Sequence, residues 1–332
     1  MPTTITKTIG SSGRNYTTPA LWEADTAAVP TNLVTADNVC VGQCFNDSEF
    51  VSATAILTLS GHTTDATRTI TLTTGAGQSF RDNAGVQGNP LNYNATNGVG
   101  LRCTGGYANT VNTLDDNVIL SNLQIRSDAS DANVDAVAST NGTSPNNQIN
   151  NCIVSGGGRA AYFNGTARNS LFINTGIGRN YIMLVIGTVK CYFCTFVCPS
   201  DVATPVGYGL AVGYGVGVVV ENCAIFGATT AVNIGAATIT TCMTNQASPP
   251  AGFTTETYAN QFVNTTIASG DYREKTGANL QAAGTADATN GATDIAGTAR
   301  PQGSNWDIGC WELIAAAPPP TGRGLSTLGV GH

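Results

Sequence analysis

Along the middle of the chain, short apolar runs alternate with polar, glycine-rich stretches, and one phrase keeps returning. Its versions are Asn122-Leu123-Gln124-Ile125, Asn151-Cys152-Ile153-Val154, Asn169-Ser170-Leu171-Phe172, Lys190-Cys191-Tyr192-Phe193, Asn222-Cys223-Ala224-Ile225 and Thr241-Cys242-Met243-Thr244. The intervals are about 20 to 30 residues, with the excess length in polar loops, which is how a solenoid reads in sequence. One turn of a solenoid cannot bury its own apolar face, so neighbouring turns stack and share a core. Val, Ile, Phe, Tyr and Thr fill the runs while Gly, Asn, Asp and Ser separate them. The repeating unit is therefore a strand and not a helix. The pattern predicts a parallel β-helix with strands near 49–59, 68–74, 98–103, 117–125, 147–154, 168–174, 184–197, 208–226 and 236–244.

The ends have a different texture. Thr18 before Pro19 is a helix-start signal, because proline is pre-organised for the first helical position. A short helix over 19–28, with Leu21 and Trp22 on its apolar side, is the expected cap for the open end of the stack. The periodicity fades at Ser248-Pro249-Pro250. The expected division is an N-terminal extension and cap over 1–48, the β-helix over 49–247, an irregular C-terminal cap over 248–314, and a proline-rich linker and attachment tail over 315–332. In that tail Pro318, Pro319 and Pro320 favour an extended spacer. Leu325, Leu328 and Val330 are its apolar anchors for a partner, set between glycines that permit close backbone approach.

Charge narrows the field of partners. Charged residues are only 11% of the 332, against roughly 25% in an ordinary globular domain, and the net charge is −7. Such a chain lacks the basic footprint of a nucleic-acid binder and of a polybasic membrane ligand, and no segment is apolar for long enough to span a bilayer. The opening Met1-Pro2-Thr3-Thr4-Ile5-Thr6-Lys7 holds no apolar stretch of signal-peptide length, so a reducing compartment is expected. The ten cysteines then read as free thiols. Cys152, Cys191, Cys223 and Cys242 share a position of the phrase, which predicts a buried structural ladder. Asn122, Asn151, Asn169 and Asn222 predict a second ladder, of side-chain amides at the bends.

No catalytic, cofactor or metal residue is assigned. The best carboxylate cluster is Asp128, Asp131 and Asp135 beside Arg126, with Asp115-Asp116 ahead of the same strand. Asp opens turns by bonding its own backbone, which accounts for these positions without catalysis. Arg273-Glu274-Lys275 has the spacing of a substrate clamp but reads better as surface ion pairing. His62 and His332 have no visible partner. In Cys191-x-x-Cys194-x-x-x-Cys198, strand alternation points Cys191 away from the other two, which argues against zinc.

Three stretches carry a family likeness. Thr6-Lys7-Thr8-Ile9-Gly10 with Arg14-Asn15-Tyr16 and Trp22-Glu23, and Thr63-Thr64-Asp65-Ala66-Thr67-Arg68 with the run Gly77 to Asn83, resemble the opening of phage-encoded right-handed β-helix proteins. Asp271-Tyr272-Arg273-Glu274-Lys275, then Asp294 to Pro301, then Asp307-Ile308-Gly309-Cys310-Trp311-Glu312, is similar to the closing cap of many pectate-lyase-like β-helix proteins. The resemblance implies a single right-handed β-helix but says little about activity, since this fold hosts many functions. The expectation is a non-catalytic virion protein, a capsid decoration or head or tail fibre, made in the host cytoplasm. Its expected partners are other virion proteins, further copies of itself and, as a secondary contact, a glycan. A phage polysaccharide depolymerase and a bacterial surface adhesin are the alternatives.

Overall fold

The computed structural model describes residues 1–314 apart from 130, 132, 140–145, 177–180, 203–205, 215–216 and 234–236, with 212–214 as backbone alone. The chain is all-β and built from long parallel sheets, an arrangement compatible with a parallel β-helix. One sheet stacks nine short strands in parallel: Phe50–Ser52, Gly100–Cys103, Gln124–Ser127, Ile153–Gly156, Leu171–Asn174, Thr195–Val197, Ala224–Phe226, Cys242–Thr244 and Phe253–Thr255. Between successive members up to Cys242–Thr244 the chain crosses a second, fourteen-stranded sheet and returns; the last step, to Phe253–Thr255, is made by a loop alone.

That larger sheet is two rows that merge. The strands Asp135–Ala138 and Gln148–Asn150 belong to different rows, yet both pair with the ten-residue strand Arg159–Arg168, one at each half. The twelve-residue strand Tyr181–Tyr192 continues the merged stretch before the rows part again as Tyr208–Tyr214 and Val218–Glu221. The bend between the halves falls at Gly165, with φ of 133° and the Asn147 carbonyl 2.1 Å from where a Cβ would stand. Only glycine fits there.

The recurring phrase marks a corner. Asn122, Asn151, Asn169, Phe193, Asn222 and Thr241 have φ of 61°, 54°, 46°, 51°, 52° and 51°, each turning the chain from the larger sheet into the nine-stranded one. Asparagine is favoured because its short side chain tolerates the left-handed region. These corners split runs that look continuous in sequence. The stretch 117–125 becomes Val118–Ser121 and Gln124–Ser127, and 208–226 becomes three strands. The asparagines do not form the expected amide ladder. Their backbone N–H groups climb the stack, Asn122 to Asn150 O, Asn151 to Arg168 O, Asn169 to Tyr192 O and Asn222 to Thr240 O. Their side chains turn outward: Asn122 accepts from Arg81 at 2.9 Å, and Asn222 exchanges two bonds with the Thr285 backbone at 2.9 and 2.8 Å.

Inside, side chains on successive turns stack in columns. Ile125, Val154, Phe172, Phe196 and Ile225 lie in register and are buried, with the two rings parallel at 5.0 Å. Burying each such side chain contributes roughly 1.5–3 kcal/mol.

Stacking begins earlier than the first expected strand. Thr3–Ile9 and Asn38–Cys44, both within 1–48, already pair in parallel and lead into Ile70–Thr74. Between them, helix α1 (Pro19–Ala24) starts where expected and ends four residues sooner than 28, N-capped by Thr18, which accepts from Leu21 N at 3.2 Å. Its Trp22 is wholly buried against Gly42, where a Cβ would come within 3.0 Å of the indole.

The C-terminal stretch differs most from expectation. Phe253–Thr255 still belongs to the stack, and the segment beyond it does not close an end. Residues 258–314 return along the outer face of the nine-stranded sheet. Phe262, Tyr272, Leu280, Ile295, Ile308 and Trp311 pack on outward-facing Leu171, Ile173, Val197, Phe226 and Met243. This layer reaches back to Arg81, which donates to Asp294 O at 3.3 Å, and to Leu91, whose carbonyl accepts from Tyr272 N at 3.1 Å.

The corner argument gives a direct test. Asn151→Ala places a Cβ-bearing residue without local polar compensation in the left-handed region and should cost roughly 1–2 kcal/mol. Asn151→Gly should keep most of the stability, because glycine enters that region freely. Urea unfolding of the two variants checks this, and equal losses would contradict the corner role.

Candidate functional site

The acids expected to act together lie in separate settings. Asp128 follows the strand Gln124–Ser127 and is clamped between Arg102 and Arg126, each with Nε at 2.6 Å. The two arginines are in register on adjacent turns, so the stack itself builds the clamp. Asp131 accepts from Asn133 N at 2.8 Å within its own turn. Asp135 opens the next strand, Asp135–Ala138, and receives two bonds from Arg159 on the adjacent turn, at 2.8 and 3.0 Å. Burial pushes its carboxyl up to about 6, and Arg159 opposes the shift. Asp116 accepts from Asn117 N at 3.0 Å and from the Asn146 side chain at 3.1 Å. A cleft of about 340 Å³ lies over Asp128, lined by Arg126, Ser127, Gly157, Thr175 and Gly176. Its carboxylate already carries two guanidinium partners, so the chemistry it offers is that of a fixed anion and not of a free acid–base pair.

His62 does have partners, which no local motif announces. Its Nδ1 lies 2.6 Å from Asp115 Oδ2, its backbone N donates to the same carboxylate at 3.0 Å, and Nε2 is 4.0 Å from Glu23. The group is mostly buried, and burial raises the Glu23 carboxyl while His62 opposes. It fastens α1 to the turns at 60–64 and 114–117.

Arg273 is no substrate clamp either. It forks onto Asp271 at 2.6 to 3.1 Å and also donates to the Gln87 carbonyl. The closing motif is knitted to itself. Arg300, with no exposed side-chain surface, donates to Asp307 O and Gly309 O, each at 2.8 Å, and to Glu312 at 3.3 Å, while lying 4.7 Å from the Phe193 ring centre. Glu312 accepts from Gln302 N and Asp307 N, and Asp294 from Thr298 N and Glu312 N. Asp307 accepts from Ala282 N and Leu313 N. The family-like residues hold the side layer together.

All ten cysteines are free and buried. Their register corrects the sequence alignment at one step. Cys191 lies over Ala167 and Val220 in the larger sheet, whereas the residue following the left-handed corner there is Cys194. The corner column thus runs Cys152, Ser170, Cys194, Cys223 and Cys242. In each case the side chain donates to the carbonyl two residues back, at 3.3, 2.8, 3.4, 3.3 and 3.3 Å. Phe193 in place of asparagine hides this corner in the sequence and draws the phrase three residues early. Burial pushes the Cys152 thiol up to about 12. Among the described residues no group of three His, Cys, Asp or Glu is arranged to hold a metal ion.

A groove that the sequence did not single out lies on the larger sheet. It holds about 330 Å³ and is lined chiefly by Asn117, Asn146, Gln148, Thr166, Thr188 and Lys190. Apart from Lys190 the lining is uncharged amide, hydroxyl and small apolar groups. The expected partner residues Pro318, Pro319, Pro320, Leu325, Leu328 and Val330, and also His332, lie outside the described residues.

Compared with known proteins, the chain matches no family model, no curated protein and no solved structure. Among the described residues no helix is long and apolar enough to cross a membrane.

The cysteine geometry separates two substitutions. Cys194→Ser keeps a carbonyl partner at Tyr192, as Ser170 does at Arg168, and should be mild. Cys191→Ser buries a hydroxyl without such a partner and should cost about 1–3 kcal/mol more. Thermal unfolding compares them. Thiol reagents should label the native protein slowly, since all ten thiols are buried away from the reagent, and should reach all ten after denaturation.

Proposed function

We propose that the chain is a right-handed parallel β-helix that serves as a non-catalytic structural component of a bacteriophage particle, as a capsid decoration or a head or tail fibre. The handedness follows from the rule for parallel crossovers, and α1 acts as the cap of the first turn. The observation that carries the non-catalytic reading is the clamp on Asp128. Its carboxylate is held by two arginines, Asp135 is neutralised by Arg159, and Asp131 and Asp116 serve their turns. The phage assignment rests on the resemblance of the two ends. In this reading residues 315–332 are the arm that attaches the body to other virion proteins, and copies of the chain associate in the particle.

A glycan contact is a secondary part of the proposal, favoured by the groove on the larger sheet. Amide and hydroxyl groups around one ammonium suit a hydroxyl-rich ligand held without cleavage.

Two experiments decide. Incubation with the host surface polysaccharide, with and without Ca²⁺, should release no new reducing ends and no unsaturated sugar. Product that disappears in Asp128→Ala would establish the depolymerase reading instead. Truncation after Ala317 should leave the thermal stability of the body unchanged and abolish incorporation into particles, whereas normal incorporation would show that the arm is not the anchor.

A further inference from the structure

We infer that Glu274 is a proton-dependent latch, holding the C-terminal layer closed over the nine-stranded sheet while protonated and loosening it when ionised. Glu274 ends the strand Asp271–Glu274, which pairs antiparallel with Phe262–Asn264 inside that layer. It is only 3% exposed, and neither of its carboxyl oxygens receives a hydrogen bond. The charged groups facing it are Asp307, Glu312 and Arg300. Asp307 already accepts with both oxygens, from Ala282 N at 2.7 Å and Leu313 N at 2.8 Å. Arg300 directs its two terminal nitrogens to Glu312 and two main-chain carbonyls, and only its Nε is left without a partner. A second negative charge placed beside Asp307 would be buried without a hydrogen bond, and the Arg300 charge only partly offsets burial and the Asp307 repulsion, so the closed layer favours the neutral acid.

The proton has a route in and out. Glu274 forms part of the wall of a surface cleft of about 340 Å³, together with Gln87, Arg273, Trp311 and Leu313. Burial and the Asp307 charge raise the Glu274 carboxyl well above its ordinary value. A group whose affinity for a proton is higher in the closed layer than in the open one favours closure at low pH. That advantage is lost as pH rises through the closed-state value. Opening uncovers the apolar outer face made by Leu171, Ile173, Val197, Phe226 and Met243. The latch thus couples proton release to the appearance of a sticky lateral surface.

The test is the opening equilibrium of the intact protein between about pH 5 and 9, above the ordinary carboxylate range. It is read from Trp306 and Trp311 fluorescence in urea and from binding of an apolar dye. The wild type should open more easily as pH rises, by up to about tenfold per pH unit until the closed-state value is passed. Glu274→Gln, which stays neutral, should show a nearly flat profile. Wild type and Glu274→Gln following the same curve, or a wild type that tightens with rising pH, would overturn the inference. If Glu274→Gln does not fold, infrared spectroscopy decides on the wild type alone. A protonated carboxylic-acid band that persists at neutral pH and fades together with layer opening supports the latch, and its absence refutes it.

Discussion

Everything in this molecule depends on the backbone ladder between successive turns at the corner where the chain enters the nine-stranded sheet. Each corner asparagine sits in the left-handed region and still hands its N–H to a carbonyl of the next turn. That combination fixes the height of one turn above another and therefore the columns inside. A residue unable to adopt the corner would break the ladder and the column with it, because parallel strands here have no hairpins to hold them in register. Asparagine fills four of the six corner positions.

A stack of this kind solves the interior and leaves the outside to be dealt with. Strand alternation that puts Ile125, Val154, Phe172 and Phe196 inside puts Ile153, Leu171, Thr195 and Val197 on the outer face of the same sheet. That face is too apolar to meet water. Residues 258–314 cover it, and the carboxylates of the closing motif organise the cover by accepting backbone N–H groups within it. The conspicuous acids of the chain are thus structural, both at Asp128 and in the side layer. The body therefore presents two different sheets, a polar one with a groove and an apolar one that is covered.

Much of the architecture is legible in sequence because it is periodic. The strand phrase, the asparagine at its head and the helix start at Thr18-Pro19 are local signals, and local signals survive in sequence. The sequence misleads where the local signal is weak or the partner distant. Phe193 replaces the expected asparagine, so Cys191 takes the place that belongs to Cys194. The side layer looks like an end cap because an irregular segment does not announce which surface it covers; its bond to Arg81 spans 213 residues. The His62–Asp115 pair, 53 residues apart, is invisible for the same reason. Whether a carboxylate is free or clamped depends on the register of adjacent turns, which sets Arg102 beside Arg126 and has no signature in a single strand.

The C-terminal segment runs back along the stack and does not close its end, and the covered apolar face depends on that path. Gln87 Nε2 donates to Thr298 Oγ1 at 2.8 Å, joining the early turns to the closing motif across the outer face. The most direct measurement replaces both with cysteine, treats the native protein with a short bifunctional thiol reagent, and identifies the products by peptide mass spectrometry. A cross-linked peptide joining position 87 to position 298 within one chain is the predicted result. Two thiols that react singly with the reagent, with no link between them, would contradict this path.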